Sequence, residues 1–83
     1  MPYFPPPKIL KAFPDAQLTK PKTKIANTNK LRKRWQDSSY IYEWDYQHGA
    51  VEKYDKNGQH LGEFNPETGQ QKKPANPHRS IEV

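Results

Sequence analysis

Prolines are concentrated at the start of this chain, and their distribution limits where regular structure can form. Of the nine prolines, six precede residue 22. Because proline lacks a backbone donor and has a fixed φ angle, no long helix can run through this region. Between Pro7 and Pro14 there is room for one short helix, which we predict near residues 7–13. The rest of residues 1–30 is predicted to form an extended basic arm.

From about residue 31 onward the sequence has the pattern of short strands separated by turns. Alternation places Tyr40, Tyr42, Trp44 and Tyr46 on one face, and Ile41, Glu43 and Asp45 on the other. We predict strands at residues 31–35, 40–46, 50–54, 59–64 and 70–73. Gly58 and Gly69 mark the turns that separate the later strands. The sequence therefore predicts a mainly β fold, a small and highly twisted antiparallel meander of four or five short strands.

The composition indicates one small domain without disulfide bonds. Only 31% of the residues are hydrophobic and no cysteine is present, so a disulfide and a cysteine zinc site are excluded. No apolar run is long enough for a signal-peptide core or a membrane span. We expect residues 1–30 to form a proline-rich arm and residues 31–83 to form the sheet that carries the chemistry, within a single monomeric domain.

Charge is distributed unevenly along the chain. Residues 1–34 contain nine Lys or Arg and one acidic residue, a net charge of +8, whereas residues 35–67 have a net charge of −5. A basic segment beside an acidic, aromatic sheet is suited to a polyanionic substrate, which the basic segment would hold and the sheet would process. A solvated, lysine-rich tail that binds nothing explains the basic segment equally well.

Asp45, His48, Glu52 and Arg79 supply the groups that are needed to cleave RNA without a metal. RNA carries its own nucleophile, the ribose 2′-hydroxyl. An enzyme therefore adds a base, an acid for the leaving 5′-oxygen and a cation for the phosphorane. A two-residue turn at His48-Gly49 would place Asp45 opposite Glu52 across a hairpin. Facing carboxylates raise one carboxyl pKa and favour a protonated histidine nearby, as acid–base catalysts require.

Several segments together resemble the cytotoxic domain of the ribosome-inactivating ribonuclease colicins and cloacin. They are Arg32-Lys33-Arg34-Trp35, Ile41-Tyr42-Glu43-Trp44-Asp45, Gln47-His48-Gly49, Glu52, Tyr54, Gly58-Gln59-His60-Leu61-Gly62, Phe64, Pro66, Thr68-Gly69 and Pro77-His78-Arg79-Ser80-Ile81. The resemblance covers roughly residues 31–81, and residues 1–30 follow the family only loosely. It implies a twisted antiparallel sheet that cleaves small-subunit ribosomal RNA at the decoding site and halts translation.

The resemblance also implies a role for individual residues. Glu52 would be the base for the 2′-hydroxyl and His48 the acid for the leaving oxygen, which leaves a 2′,3′-cyclic phosphate. Asp45 would hold the imidazolium, and Arg79 would stabilise the phosphate. RNA contacts are predicted at Lys30, Arg32, Lys33, Arg34, Tyr54, Lys72 and Lys73.

Partners and a place of action follow from the same resemblance. The substrate would be the ribosome, through its small-subunit RNA, and an acidic immunity protein would neutralise the toxin in the producing cell. We expect a secreted or delivered toxin that acts in the cytoplasm of target bacteria, either as an excised module of a larger toxin or as a stand-alone relative. No cofactor and no metal are expected, because the spacing of His48, His60 and His78 resembles no known metal site.

Two other classes of function stay open on sequence alone. A non-catalytic RNA-binding module would explain the basic arm and the tyrosines, and a structural β-hairpin repeat would explain residues 54–70. Neither explains the carboxylates around His48. We also predict a strand-face role for His60 and a solvated position for Glu43, and Tyr54 either shapes the pocket or simply packs.

Overall fold

Six short antiparallel strands form a single sheet in the computed structural model, which describes residues 3–83. In chain order they are β1 (Gln17–Thr19), β2 (Arg34–Gln36), β3 (Tyr40–Asp45), β4 (Ala50–Asp55), β5 (His60–Phe64) and β6 (Gln71–Lys73). Each strand pairs with the next one along the chain, so the order in the sheet follows the order in the sequence. The predicted mainly β antiparallel meander is confirmed, with six strands instead of four or five.

The additional strand comes from the segment that was predicted to be an arm. β1 pairs with β2 and places Leu18 opposite Trp35. Beyond this strand, an isolated bridge between Lys24 and Leu31 joins the two ends of the connecting loop. The division of the domain at residue 30 stays a prediction.

The predicted helix near residues 7–13 is wrong, because this stretch forms successive turns and residues 3–83 contain no helix. The Phe13 amide donates to the Leu10 carbonyl at 3.1 Å, whereas the Ala12 amide donates to the Pro66 carbonyl at 3.0 Å. A helix of this length is marginal by itself. The segment docks on the β5–β6 turn instead, and this contact uses the Ala12 amide, a donor that a helix would need for its own backbone. Within the described residues there is accordingly no helix long and apolar enough to cross a membrane.

The apolar face of the sheet is covered by the N-terminal segment, residues 3–16. The buried core consists of Leu10, Ala16, Trp35, Tyr42, Trp44 and Val51, with Phe13, Tyr46 and Phe64 packed against it. The indole N–H of Trp44 donates to the Phe4 carbonyl at 2.8 Å, and that of Trp35 donates to the Lys8 carbonyl at 3.4 Å. Because each aromatic side chain buries a large area, this small core can stabilise a short sheet.

The opposite face carries a row of charged side chains that crosses the sheet from strand to strand. Arg34 in β2 is paired with Glu43 in β3, Glu43 with Glu52 in β4, Glu52 with Glu63 in β5, and Glu63 with Lys73 in β6. We call these five residues the charged row. Its three glutamates are neighbours, and like charges directly opposite each other destabilise a sheet unless they are neutralised.

The β3–β4 hairpin differs in register from the predicted one. Its turn spans residues 46–49 instead of two residues, and Asp45 lies opposite Ala50. The prediction that Asp45 faces Glu52 across the ladder is therefore wrong. Glu52 lies opposite Glu43 instead, which joins it to the charged row.

The longer turn is stabilised by the side chain of Asp45. Its Oδ1 accepts hydrogen bonds from the backbone N–H groups of Gln47 at 2.9 Å and His48 at 3.1 Å. Gly49 closes the turn with a φ angle of 63°, and an added Cβ there would lie 2.9 Å from the Phe4 ring. A two-residue turn would forgo these side-chain bonds, which are typical of aspartate in turns.

The C-terminal segment, residues 74–83, folds back along β5. The His60 amide donates to the Arg79 carbonyl at 3.0 Å, and the Ile81 amide donates to the Gly58 carbonyl at 2.9 Å. Gly58 has a φ angle of 86°, and an added Cβ would collide with the Ile81 carbonyl oxygen, so this turn requires glycine. The close approach brings Arg79 to the polar face of the sheet.

Candidate active site

An open cleft of about 430 Å³ lies beside the β3–β4 turn on the polar face. It is lined by Asp45, His48, Glu52, His60, Glu63, Lys73, Pro74, Ala75, Asn76, Pro77 and Arg79. All four residues that were predicted to be catalytic are in this lining. The hairpin supplies Asp45, His48 and Glu52, and the C-terminal segment supplies Arg79, so the fold gathers groups that are distant in sequence.

His48 is held at the rim of the cleft by Asp45. The Nδ1 atom of His48 lies 2.8 Å from Asp45 Oδ2, and this contact leaves Nε2 to face a bound ligand. Burial by itself would raise the pKa of Asp45, but hydrogen bonds from Gln47 and His48 outweigh it and lower the pKa. Asp45 is therefore an anion that can pair with a protonated imidazole ring.

Glu52 lies in the middle of the charged row and is only 3% exposed. Burial, above all, and a hydrogen-bonding contact with the Glu63 carboxyl raise the pKa of Glu52 to about 8, although the charge of Arg79 acts in the opposite direction. The carboxyl group therefore holds its proton near neutral pH. Once ionised, it is a stronger base than an ordinary glutamate, as acid–base catalysis requires.

His60 contacts Glu52 from β5, with 2.7 Å between its Nε2 and Glu52 Oε1. The Asn76 amide donates to His60 Nδ1 at 2.9 Å, so the ring proton is on Nε2 and the ring is neutral. Burial and then the charge of Arg79 lower the pKa of His60, although Glu63 opposes this. His60 thus donates a hydrogen bond that orients Glu52, which goes beyond the strand-face role predicted for it.

Arg79 reaches the same carboxyl group from the C-terminal segment. Its Nη1 lies 3.6 Å from Glu52 Oε1, and its guanidinium carbon lies 5.9 Å from the centre of the Tyr54 ring. Tyr54 is completely buried, and burial is the main cause that raises its pKa to about 12. The predicted contact between Tyr54 and RNA is therefore corrected, because the side chain packs beneath Arg79 and has no surface to offer.

Arg34 was also predicted to contact RNA, and it is buried in the charged row instead. Its Nη2 and Nε atoms lie 2.8 and 3.2 Å from Glu43 Oε2. Arg34 is 2% exposed and Glu43 is fully buried, so the prediction of a solvated Glu43 is wrong as well. Each ion neutralises the other where neither is hydrated, and Arg34 has no surface left for a phosphate.

The other predicted RNA contacts have surface to offer. They are Lys30, Lys72 and Lys73, which are exposed, and Arg32 and Lys33, which are partly buried. Arg32 donates to the Trp44 carbonyl at 3.0 Å, and Lys33 donates to the Pro7 carbonyl at 2.6 Å. Lys73 also lines the cleft. Contact between these five residues and RNA stays a prediction.

Glu63 is a member of the site that the sequence did not identify. It is 3% exposed, and its Oε1 lies 3.3 Å from His48 Nδ1. The alternation of β5 places it on the same face as Glu52, but this signal becomes readable only when the pairing of β4 and β5 is known.

One set of side chains in the cleft has the donors for a metal ion. The ligand atoms of Asp45, His48 and Glu63 lie within 4.8 Å of one another, and imidazole with carboxylates is a usual donor set for transition metals. In the structure His48 Nδ1 contacts both carboxylates, and a metal would replace these contacts. The expectation of a metal-free reaction stays a prediction.

Comparison with known proteins assigns the family. The family model described as Cytotoxic matches residues 4–82. Colicin E3 of Escherichia coli is 45% identical over 84 residues, which cover 95% of this chain and 15% of colicin E3. Cloacin and colicin-E6, both of Escherichia coli, are each 43% identical over the same shares. The chain thus spans about 15% of the length of these relatives. With a match that runs almost from end to end, this chain belongs to the Cytotoxic family, to which the resemblance to colicins and cloacin had pointed.

Proposed function

We propose that this chain is the toxin module of a bacteriocin and that it cleaves small-subunit ribosomal RNA at the decoding site, which halts translation. The observation that carries the proposal is the convergence of the Asp45–His48 pair, Glu52 and Arg79 in one cleft. This cleft belongs to a chain that is 45% identical to colicin E3. An acid, a base and a cation thus surround one open space on the surface.

The first chemical step uses Glu52 as the base. In its ionised form Glu52 removes the proton from a ribose 2′-hydroxyl, and the 2′-oxygen attacks the adjacent phosphorus atom. The N–H of His60 fixes the orientation of the carboxylate. Arg79, 3.6 Å from Glu52 Oε1, would stabilise the negative charge that develops on the pentacoordinate phosphate.

The second part of the reaction uses His48 as the acid. The imidazolium transfers its Nε2 proton to the 5′-oxygen while the bond between phosphorus and that oxygen breaks. Asp45, 2.8 Å from Nδ1, would hold the ring in the orientation that this transfer needs. The products are a 2′,3′-cyclic phosphate and a free 5′-hydroxyl, and no step requires a metal.

The test is cleavage of purified bacterial ribosomes in the presence of EDTA. We expect one discrete fragment of small-subunit RNA that carries a cyclic phosphate, and a single 2′-deoxy substitution at the cleaved nucleotide should stop the reaction. His48→Ala and Glu52→Gln should each lower the rate by about 10² to 10⁴. The double variant should lose less than the product of the two effects, because both groups act in one step.

His78→Ala and Glu67→Gln are matched controls, because both side chains are exposed and lie outside the cleft. We expect both to cleave at the wild-type rate. Cleavage that survives the 2′-deoxy substitution, or that stops in EDTA, would contradict the mechanism and indicate a metal-bound water. RNA binding without any cleavage would indicate the non-catalytic module instead.

We further propose an acidic immunity protein as the neutralising partner, because residues 1–34 have a net charge of +8. The toxin would be secreted or delivered and would act in the cytoplasm of target bacteria, where its ribosomal substrate is found. Both statements rest on the family and on the charge of the chain.

A further inference from the structure

We propose that Glu63 is a positioning residue of the cleavage reaction, which holds the His48 ring together with Asp45 and, as the strand partner of Glu52, opposes ionisation of the Glu52 carboxyl group. The inference rests on the proposed function, since it concerns the acid and the base of that reaction. Glu63 would then connect the two groups that have to carry opposite protonation states before the reaction can start.

The first observation is the contact between Glu63 and His48. Glu63 Oε1 lies 3.3 Å from His48 Nδ1, and Asp45 Oδ2 lies 2.8 Å from the same nitrogen. Two carboxylates from two different elements, the β3–β4 turn and β5, thus lie beside the same ring nitrogen, and Asp45 is the one hydrogen-bonded to it. Two carboxylates beside Nδ1 restrict the orientation of the ring, although the side chain is 48% exposed.

The second observation is the position of Glu63 in the charged row. It is the strand partner of Glu52 in β4, and both residues are about 3% exposed. Two buried carboxyl groups at paired positions of neighbouring strands disfavour ionisation of each other, which favours a proton on one of them. The raised pKa of Glu52, about 8, agrees with a retained proton that resides on Glu52.

The charges around Glu52 and Glu63 explain why the Glu52 carboxyl group keeps its proton. Glu43, the other neighbour of Glu52, already has the buried cation Arg34 at 2.8 Å. The charged or titratable groups that face Glu52 and Glu63 come from four elements. They are the neutral His60 in β5, Arg79 in the C-terminal segment, the Asp45–His48 pair in the turn and Lys73 in β6. Arg79 is 39% exposed and lies 3.6 Å away, so solvent weakens its effect on the pair. A neutral side chain at position 63 would lower the penalty of ionising Glu52, although its burial would remain.

The experiment compares the wild type with Glu63→Gln, which keeps the size of the side chain and removes its charge. The rate constant kcat/KM for cleavage of ribosomal RNA is measured across the pH range. In Glu63→Gln the rising limb of the profile, which reports ionisation of Glu52, should move toward lower pH by about one unit or more. The maximal rate should fall several-fold, because His48 loses one of the two carboxylates beside its Nδ1. Glu67→Gln removes the same charge on the exposed β5–β6 turn and should reproduce the wild-type profile.

A second readout does not depend on activity. Titration of the Glu52 carboxyl carbon by NMR in wild type and Glu63→Gln should show the same acid shift of its midpoint. Glu63→Ala is the second variant, used if Glu63→Gln proves to be unfolded by circular dichroism. An unchanged Glu52 midpoint in a folded variant would overturn the inference, as would a rate that falls equally at every pH. A wild type that cleaves no RNA refutes the proposed function alone, because the NMR titration still decides the role of Glu63.

Discussion

Among single residues, the charged row shows how neighbours of one type acquire different properties. Glu43 and Glu52 are both buried on the same face of the sheet. Glu43 has the guanidinium of Arg34 at 2.8 Å, which makes it a structural anion. The nearest partner of Glu52 is the neutral His60, so burial and then Glu63 raise its pKa against the opposing charge of the more distant Arg79. The position of one arginine therefore separates a structural glutamate from the candidate base.

Glu52 is predicted to make the protein less stable as the pH rises. Its pKa is raised from the ordinary value of 4.5 to about 8, so the folded state keeps a proton that the unfolded chain releases between these two pH values. The free energy of unfolding should therefore fall across this window, and the fall should be much smaller in Glu52→Gln. Thermal unfolding at a series of pH values measures the effect, and equal slopes in the two proteins would contradict it.

Arg34 is predicted to be essential to stability rather than to RNA binding. Arg34→Met leaves Glu43 buried without a cation, which typically costs about 3–5 kcal/mol. The double variant Arg34→Met with Glu43→Leu should recover most of this loss, because an apolar pair carries no charge to desolvate. Urea denaturation measures both. Lys56→Met is the control, since Lys56 is an exposed cation in the β4–β5 turn, and a cost for Arg34→Met as small as that of the control would refute the prediction.

At the level of elements, the segment with the least regular structure closes the core. Residues 3–16 contain no helix and no strand, yet Leu10 is buried with Trp35 and Trp44 of the sheet. Backbone carbonyls of this segment also accept the two indole N–H groups. The segment therefore works as a cover for the apolar face, and it does so with turns because prolines leave no room for a helix.

Leu10→Ala is predicted to lower the free energy of unfolding by about 2–5 kcal/mol, as large-to-small changes in a core do. Leu10 is 1% exposed, whereas the adjacent Ile9 is 67% exposed. Ile9→Ala removes a similar side chain from the surface and should cost less than about 1 kcal/mol. Denaturant unfolding of the two variants side by side checks the role of the segment, and equal effects would show that it does not close the core.

Over the whole molecule, charge is separated although the domain is small. The polypeptide measures about 29 × 24 × 24 Å, so every part of it lies within a few Debye lengths of the cleft. Residues 1–34 have a net charge of +8 beside a sheet region of −5. A surface of this kind attracts a polyanion at long range.

The exposed lysines of the N-terminal half are predicted to carry the salt dependence of RNA binding. The experiment uses a His48→Ala background, in which Lys20, Lys24 and Lys30 are all changed to alanine. If each lysine contacts one phosphate of a single strand, the slope of log binding constant against log salt concentration should become less negative by about 2. Fluorescence anisotropy with a ribosomal RNA oligonucleotide measures the slope. Lys56→Ala, an exposed cation in the acidic region, should leave it nearly unchanged, and an unchanged slope in the triple variant would place the RNA elsewhere.

The sequence by itself determined the parts of this protein that depend on local preferences. Alternation from Tyr40 onward and the glycine turns predicted the antiparallel meander, since each strand and turn reflects the backbone preferences of its own residues. The spacing of Asp45, His48 and Glu52 within one hairpin likewise marked the residues that line the cleft.

Only the tertiary structure decided which residues face each other and how deeply they lie. The register of the β3–β4 hairpin depends on side-chain bonds of Asp45 to its own turn, and that register places Glu52 opposite Glu43 instead of Asp45. Burial of Arg34 and the hydrogen bond from His60 to Glu52 arise from strands paired across the sheet. Pairing and burial depend on residues that are distant along the chain, and burial in turn sets the charge state of each group. For that reason the sequence identified the candidate acid and base, and the packed sheet determined the environment that sets their protonation.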